Sequence, residues 1–325
     1  MSMRGPLFLS AQDCQALLAP TDVLAAVEAA LRSDAAGSVR WPKPRNLNIA
    51  PDAFGNHYHL KACVLEDLPV AGVRLVAHPA DESSGVATRW VVLIDPQSTR
   101  PLAIVDERWN YAQRTVAGVI VAARRLAAGE PRSLALVGAG RLAGAALAYY
   151  TRLFRLAEVR IASRREETRL ALAAQAAAQY GLQAHAADSV EAAVRGAELV
   201  LTCTSAARPL LEPEWIAPGA VVAALETAEP GRELAEQVDL FVVDSREQLE
   251  KELIELFGPE APGWVDASIG EVMVGSHPGR TSPEQRVLIL TQGMASQDVA
   301  LAYKAYTRAV ERGLGTALPV TLDLV

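Results

Sequence analysis

The chain has little of what marks secreted, metal-binding or nucleic-acid-binding proteins. Its 3 cysteines, Cys14, Cys63 and Cys203, are odd in number and widely separated. That pattern fits neither a disulfide framework nor a zinc site and implies a reducing compartment. The 5 histidines, His57, His59, His78, His185 and His277, form no short-range ligand pattern. His57 and His59 alternate on one strand face, but no cysteine or carboxylate joins them in sequence, so no metal is expected. No apolar run reaches the roughly 18 residues of a membrane span. Met1 to Ser10 also lack the charged-then-apolar order of a secretory leader, and the expected location is cytoplasmic. A positive excess is missing as well. With 31 Lys+Arg against 38 Asp+Glu, a formal charge of −7 and no basic cluster, neither nucleic acid nor an anionic membrane is an expected partner.

What is abundant is aliphatic. Half of the 325 residues are hydrophobic, enough for a sizeable core and for two domains. Thr21 to Ser33 reads as an amphipathic helix with Leu24, Val27 and Leu31 on one face. From Val39 to Glu107 the pattern changes to short β-like runs at Arg45 to Ile49, His57 to Leu65, Val73 to Ala77, Arg89 to Ile94 and Leu102 to Val105. No long helix interrupts them, which predicts a largely antiparallel or mixed sheet. After a helix at Trp109 to Ala128 and the break Gly129-Glu130-Pro131, strand and helix alternate. The predicted strands are Leu134 to Val137, Val159 to Ala162, Ala184 to Ala186, Leu199 to Cys203, Val221 to Leu225, Leu240 to Val243 and Val287 to Leu290. Together they predict an α/β fold with a Rossmann doubly wound parallel sheet, beside an α+β domain with its own mixed sheet. A last helix, Ser296 to Arg312, is placed to return to the first domain.

Gly138-Ala139-Gly140-Arg141-Leu142-Ala143 sits between a buried strand and an Ala-rich helix. Glycines there let the backbone turn and approach a pyrophosphate, and the first helical turn offers unpaired N–H groups and the positive end of its dipole. The next strand, Glu158 to Ala162, ends in Ser163-Arg164-Arg165, and no carboxylate appears until Glu166. An NAD-selective site would place an acid there for the ribose 2′-hydroxyl; two guanidiniums and a hydroxyl suit a 2′-phosphate instead. The expected cofactor is therefore NADP(H), favoured over NAD(H).

Several stretches in this order resemble the ornithine cyclodeaminase/mu-crystallin family. They are Val27-Glu28-Ala29-Ala30-Leu31, Gly72-Val73-Arg74-Leu75-Val76 with His78-Pro79, Pro101 to Asp106, Arg114-Thr115, the glycine loop, and Thr202-Cys203-Thr204-Ser205. Pro230-Gly231-Arg232-Glu233-Leu234, Ile269-Gly270-Glu271-Val272, Pro278-Gly279-Arg280 and Gly293 to Asp298 complete the set. The resemblance implies a substrate-binding and dimerisation domain of residues 1–113 and 299–325, a Rossmann domain of 114–298, and a homodimer. It also implies hydride transfer between nicotinamide and the α-carbon of a small amino or imino acid.

Carried onto this sequence, the family's carboxylate-holding roles fall on Arg45, Arg74 and Arg114, and Lys61 joins them as a substrate-binding candidate. The cofactor set implied is Thr88, Arg114, Thr115, Gly138, Gly140, Arg141, Leu142, Ser163, Arg164, Arg165, Thr202, Thr204, Ser205 and Asp298. The departures are informative. Arg74 stands where the family usually has lysine and cannot readily release a proton, so Lys61 on the preceding strand is the substitute acid–base candidate. Ala228 replaces the aspartate that cyclodeaminases carry before Pro230-Gly231, which argues against cyclodeamination itself. Glu226 or Glu229 could restore a carboxylate; Glu226 joins Lys61 and Arg74 in the expected catalytic set. Tyr111 replaces a usual threonine. The losses favour reduction of the C=N bond of a small imino acid, as in a ketimine reductase, with Lys61 or water protonating nitrogen. The alternatives are amino-acid dehydrogenation or cyclodeamination with a relocated acid, and a crystallin-like protein that binds NADPH and a small ligand without turnover.

Overall fold

A computed structural model of the chain describes residues 5–50, 55–80 and 87–320. It opens with β1 (Leu7–Leu9), α1 (Ala11–Leu17), α2 (Pro20–Ala35), β2 (Val39–Arg40), β3 (Asn46–Ile49), β4 (His57–Leu65), β5 (Val70–His78), β6 (Thr88–Ile94), β7 (Pro101–Asp106) and α3 (Arg108–Leu126). Strand and helix then alternate through β8 (Ser133–Val137), α4 (Arg141–Leu153), β9 (Glu158–Ala162), α5 (Glu166–Tyr180), β10 (Gln183–Ala186), α6 (Val190–Val194), β11 (Leu199–Thr202) and β12 (Val221–Ala224). After these come α7 (Arg232–Gln237), β13 (Leu240–Val243), α8 (Arg246–Phe257), β14 (Ala267–Ser268), α9 (Ile269–Val274), β15 (Val287–Leu290), α10 (Ala295–Arg312) and β16 (Thr316–Ala317).

The chain divides into two compact units, Met1–Arg114 with Met294–Val325, and Thr115–Gly293. These bounds differ from the expected 114–298 at both ends. The reason for the later difference is α10, which packs along β4, β5 and β6 of the first unit from its first turn.

In the second unit eight strands form one sheet in the order β10-β9-β8-β11-β12-β15-β13-β14, every pairing parallel. Sequence order reverses between β8 and β11, which makes the carboxyl ends of those two strands the switch point where such sheets receive ligands. β11, β12, β13 and β15 are buried at every residue, as strands covered on both faces should be. Local chemistry sets the helix ends. Glu166 and Glu167 lie in the first turn of α5, where the dipole favours acids, and Gly181 ends that helix in the left-handed conformation.

The first unit is built on a mixed sheet, β16-β1-β7-β6-β5-β4-β2, with β3 also paired to β4. All pairings are antiparallel except β1 with β7. One face carries Cys63, Leu65, Val70, Val76, Val91, Leu93 and Val105, all buried. Gly72 lies on that face, and a Cβ there would come within 2.5 Å of Val299 on α10. The glycine of the Gly72-Val73-Arg74 motif thus permits the helix to lie close on the sheet. The other face carries Leu47, Leu60, Val73, Leu75, Trp90 and Val92, of which Leu47, Val73 and Trp90 are exposed among the described residues. The sequence expectations located every strand of four or more residues. The strands left out, β1, β2, β14 and β16, are too short to generate a periodic signal, and the helices α1, α7, α8 and α9 were not anticipated either.

Candidate active site

In the second unit the glycine loop joins β8 to α4. Gly138 has φ +117°, and a Cβ on it would lie 2.7 Å from the carbonyl oxygen of Cys203 at the end of β11. Only glycine fits where two strand ends come so close. Gly140 is the N-cap of α4 and gives it no side-chain cap, and a Cβ there would meet nothing within 4 Å. No side chain caps the first N–H groups of this 13-residue helix, which is the arrangement that receives a phosphate. Arg141, at the first helical position, is exposed. β9 lies beside β8 in parallel register, Val137 opposite Ala162, so Ser163, Arg164 and Arg165 leave the sheet at the same edge. Ser163 exchanges a hydrogen bond with Thr168 at 3.1 Å. Arg164 and Arg165 are exposed, and their guanidiniums make no ion pair or hydrogen bond among the described residues. These residues fit a nicotinamide dinucleotide.

On the other side of β8, the end of β11 is organised by Glu229. This carboxylate is fully buried. It accepts hydrogen bonds from the Thr202 hydroxyl at 2.7 Å, the Thr204 N–H at 2.7 Å and the Thr204 hydroxyl at 2.6 Å. Burial raises its pKa while these bonds oppose the rise. The two threonine hydroxyls are thus committed to Glu229, and Ser205 beside them is exposed. Glu226, three residues earlier, is exposed. Partial desolvation, and then the charges of Glu229 and Glu252, push its carboxyl up to about 7. Of the two acids near Ala228, one is a structural ligand of the threonine loop and the other is free to exchange protons near neutral pH.

The first unit holds a dense buried charge cluster. Arg74 on β5, 4 % exposed, donates from Nε to Glu107 at 2.7 Å and lies 3.4 Å from Asp298 on α10. Arg114 on α3, 3 % exposed, donates to Asp298 at 2.5 Å. Asp298 therefore bridges two guanidiniums, and its Oδ2 has no hydrogen-bond donor of its own. Although burial works against the charge on Arg74, Asp298 and Glu107 raise its pKa well above that of free arginine; burial raises that of Glu107. Breaking such a pair by removing one partner costs about 3–5 kcal/mol. The ring of Tyr111 lies under three guanidiniums, with Arg89 at 4.0 Å, Arg114 at 5.0 Å and Arg74 at 5.7 Å from its centroid.

The remaining expected residues are placed as follows. Lys61 is directly opposite Arg74 in the β4–β5 register and on the same face. Arg45 precedes β3; its guanidinium stacks 4.5 Å from the Trp41 ring and approaches Asp34 at 3.9 Å. Thr88 opens β6 on the face opposite to Arg89. Thr115 has a buried hydroxyl without a partner. Asp298 was expected at the cofactor, yet both its oxygens are turned toward guanidiniums in the first unit. Sequence reasoning missed Glu107 and Arg89. Glu107 directly follows the Pro101 to Asp106 stretch and opens a helix, but its partner is 33 residues away and no local pattern announces the pair.

Among the described residues, no single helix is long and apolar enough to cross a membrane, and no cluster of three or more His, Cys, Asp or Glu side chains is arranged to hold a metal.

A family model described as the ornithine cyclodeaminase/mu-crystallin family matches residues 4–313. The chain is 30 % identical to an NAD(P)H-dependent anabolic L-arginine dehydrogenase of Pseudomonas aeruginosa, over 94 % of this chain and 98 % of that protein. It is 28 % identical to a Δ1-pyrroline-2-carboxylate reductase of Bacillus cereus, over 95 % of this chain and 98 % of that one. Among solved structures, an archaeal alanine dehydrogenase dimer with bound NAD superposes with a TM-score of 0.89 at 25 % identity, covering 97 % of this chain and 99 % of that chain.

Proposed function

Since the chain belongs to the ornithine cyclodeaminase/mu-crystallin family, we propose that within that family it is an NADP-dependent reductase of the C=N bond in a small imino acid. The chain is an NAD(P)-dependent oxidoreductase acting on C–N bonds, as its relatives are. The observation that carries the finer reading is the open cradle at Gly138, Gly140 and Arg141, flanked by the unpaired guanidiniums of Arg164 and Arg165. A phosphate monoester on the ribose is the group those two side chains match.

The two units divide the work. Gly138, Gly140, Arg141, Leu142 and Ser163 to Arg165 hold the dinucleotide, with Thr202, Thr204 and Ser205 supporting it through the loop that Glu229 fixes. Arg114 and Lys61 hold the substrate carboxylate, and Arg74, locked by Glu107, helps fix the Asp298 carboxylate that positions Arg114. A bound reduced nicotinamide supplies the hydride to the α-carbon. Reduction also requires a proton on nitrogen, and Glu226, pushed up to about 7, holds one in a sizeable fraction near neutral pH, which suits it to this role better than an ordinary carboxyl. The absence of an acid at Ala228 is consistent with reduction, where water need not be activated for attack.

The protein pairs with a second copy through the open face of the mixed sheet. Trp90 is 43 % and Leu47 52 % exposed there, a contiguous apolar surface of the kind that marks an interface. The archaeal alanine dehydrogenase of the same fold is a dimer.

Loss of NADPH absorbance with Δ1-pyrroline-2-carboxylate, Δ1-piperideine-2-carboxylate and pairs of 2-oxo acid with amine tests this function. The expected result is turnover with at least one imine and a preference for NADPH over NADH of about tenfold or more, which Arg164→Ala with Arg165→Ala abolishes. Oxidation of neither cofactor, or an equal loss for both in the double variant, would contradict it.

A further inference from the structure

Val76 is buried at the middle of a ring of basic side chains. In the register of the sheet, His59 on β4 and Arg89 on β6 lie directly across from it, and Arg74 and His78 flank it two residues away on its own strand. All four share one face of the sheet, and Lys61 sits opposite Arg74 on that face. The rings of His59 and His78 meet edge to face with centroids 5.6 Å apart, and His59 Nδ1 is 2.7 Å from the Asn48 side-chain oxygen. His59 is held in place, with its other ring nitrogen left for another partner.

Charge accounting singles out one member. The guanidiniums of Arg74, Arg89 and Arg114 gather over Tyr111, while among the described residues the carboxylates that engage this cluster are Glu107 and Asp298. Those two engage Arg74 and Arg114. Arg89 is half-buried, and its guanidinium makes no hydrogen bond or ion pair among the described residues; its contact is the Tyr111 ring. Desolvation, together with Arg74 and Arg114, lowers its pKa, and desolvation with His78, Lys61 and Arg74 does the same to His59. A cation held at such a cost is stabilised by an anion arriving from outside the chain.

Resting on the reading that this unit holds the substrate carboxylate, we propose that Arg89, His59 and His78 form a second anion subsite, so that the substrate is a dicarboxylic imino acid. The α-carboxylate uses Arg114 and Lys61. The side-chain carboxylate takes the fork of Arg89 and an N–H from His59 or His78. A cationic side chain is repelled by the same ring, and a neutral one leaves Arg89 unpaired. The reaction is unchanged: hydride adds to the α-carbon, a proton adds to nitrogen, and the C=N double bond becomes a single bond.

The test compares imines formed in situ from methylamine with 2-oxoglutarate and with 2-oxopentanoate, which share a five-carbon chain and differ by one carboxylate. Wild type is expected to show kcat/KM for the dicarboxylic imine about 100-fold higher. Arg89→Gln shrinks that ratio to within about threefold, mainly through KM, and Arg89→Lys restores part of it. Should Arg89→Gln fold poorly, His59→Gln with His78→Gln reduces the ratio about tenfold. A ratio near one in wild type, or a ratio that neither variant moves, overturns the subsite. If neither imine is reduced, the proposed function fails, and the subsite is judged by calorimetry on the full chain. Glutarate binding at least tenfold tighter than pentanoate, with the difference lost in Arg89→Gln, supports it; equal affinities overturn it.

Discussion

The two sheets of this protein use their faces differently. Strands β11, β12, β13 and β15 of the parallel sheet are buried at every residue, so that sheet offers function only at its carboxyl edge, where the chain turns. The mixed sheet of the first unit buries one face under α10 and leaves the other apolar and open, and on the covered face it carries charge in the interior. The parallel sheet presents a site through its ends and keeps it empty of its own side chains. The mixed sheet presents a site through its face and fills it with charges that are largely paired. The first design leaves unpaired N–H groups for a ligand to satisfy. The second fixes arginines rigidly, at the cost of burying ions whose net contribution to stability is small.

That contrast can be broken at either sheet. The largest effect is expected at the parallel sheet's edge. Gly138→Ala drives a Cβ into the Cys203 carbonyl and forbids the φ of +117°, so dinucleotide affinity should fall by about 100-fold or more while far-UV circular dichroism stays native. An unchanged dissociation constant, measured by nicotinamide fluorescence titration, would move the cofactor elsewhere. The open face of the mixed sheet comes next. Val73→Asp with Trp90→Asp places two carboxylates on it and should convert a dimer to a monomer in light scattering, raising the dimer dissociation constant by about 100-fold. A variant that remains dimeric would assign that face no partner.

The smallest effect is at Glu226. With its carboxyl near 7, the acid form dominates below that value and the carboxylate above it. Imine reduction should therefore slow as pH rises through about 7, and the oxidative direction should gain over the same range. Glu226→Gln should remove that limb from the kcat profile and lower kcat about tenfold at pH 6.5. A limb that persists in the variant belongs to another group.

How far the sequence reaches follows from the same contrast. The glycine loop, the strand before it and Ser163-Arg164-Arg165 lie within about thirty residues, and each carries its meaning locally, because turn geometry and helix-end chemistry are short-range. The alternation of β4 to β7 is equally local and gave the mixed sheet nearly residue by residue. The charge cluster is different. Arg74, Glu107, Arg114 and Asp298 come from the middle of β5, the turn after β7 and two helices, and the bond from Arg114 to Asp298 spans 184 residues. Nothing near Glu107 distinguishes it from a solvated acid at a helix start, and nothing near Arg89 distinguishes it from a surface arginine on a strand. Glu229 was visible as an acid near Ala228, but its burial and its three hydrogen bonds appear only when the ends of β11 and β12 stand side by side.

The most direct measurement is the fate of the transferred hydrogen. NADPH carrying deuterium at the reactive C4 position is incubated with the protein and a cyclic or linear imino acid, and the product is analysed by mass spectrometry and proton NMR. One deuterium at the α-carbon of the resulting amino acid, absent when Gly138→Ala replaces the wild type, is the predicted result. Amino acid without deuterium, or no amino acid at all from any imine tried, would contradict the reading of this chain as a reductase of C=N bonds.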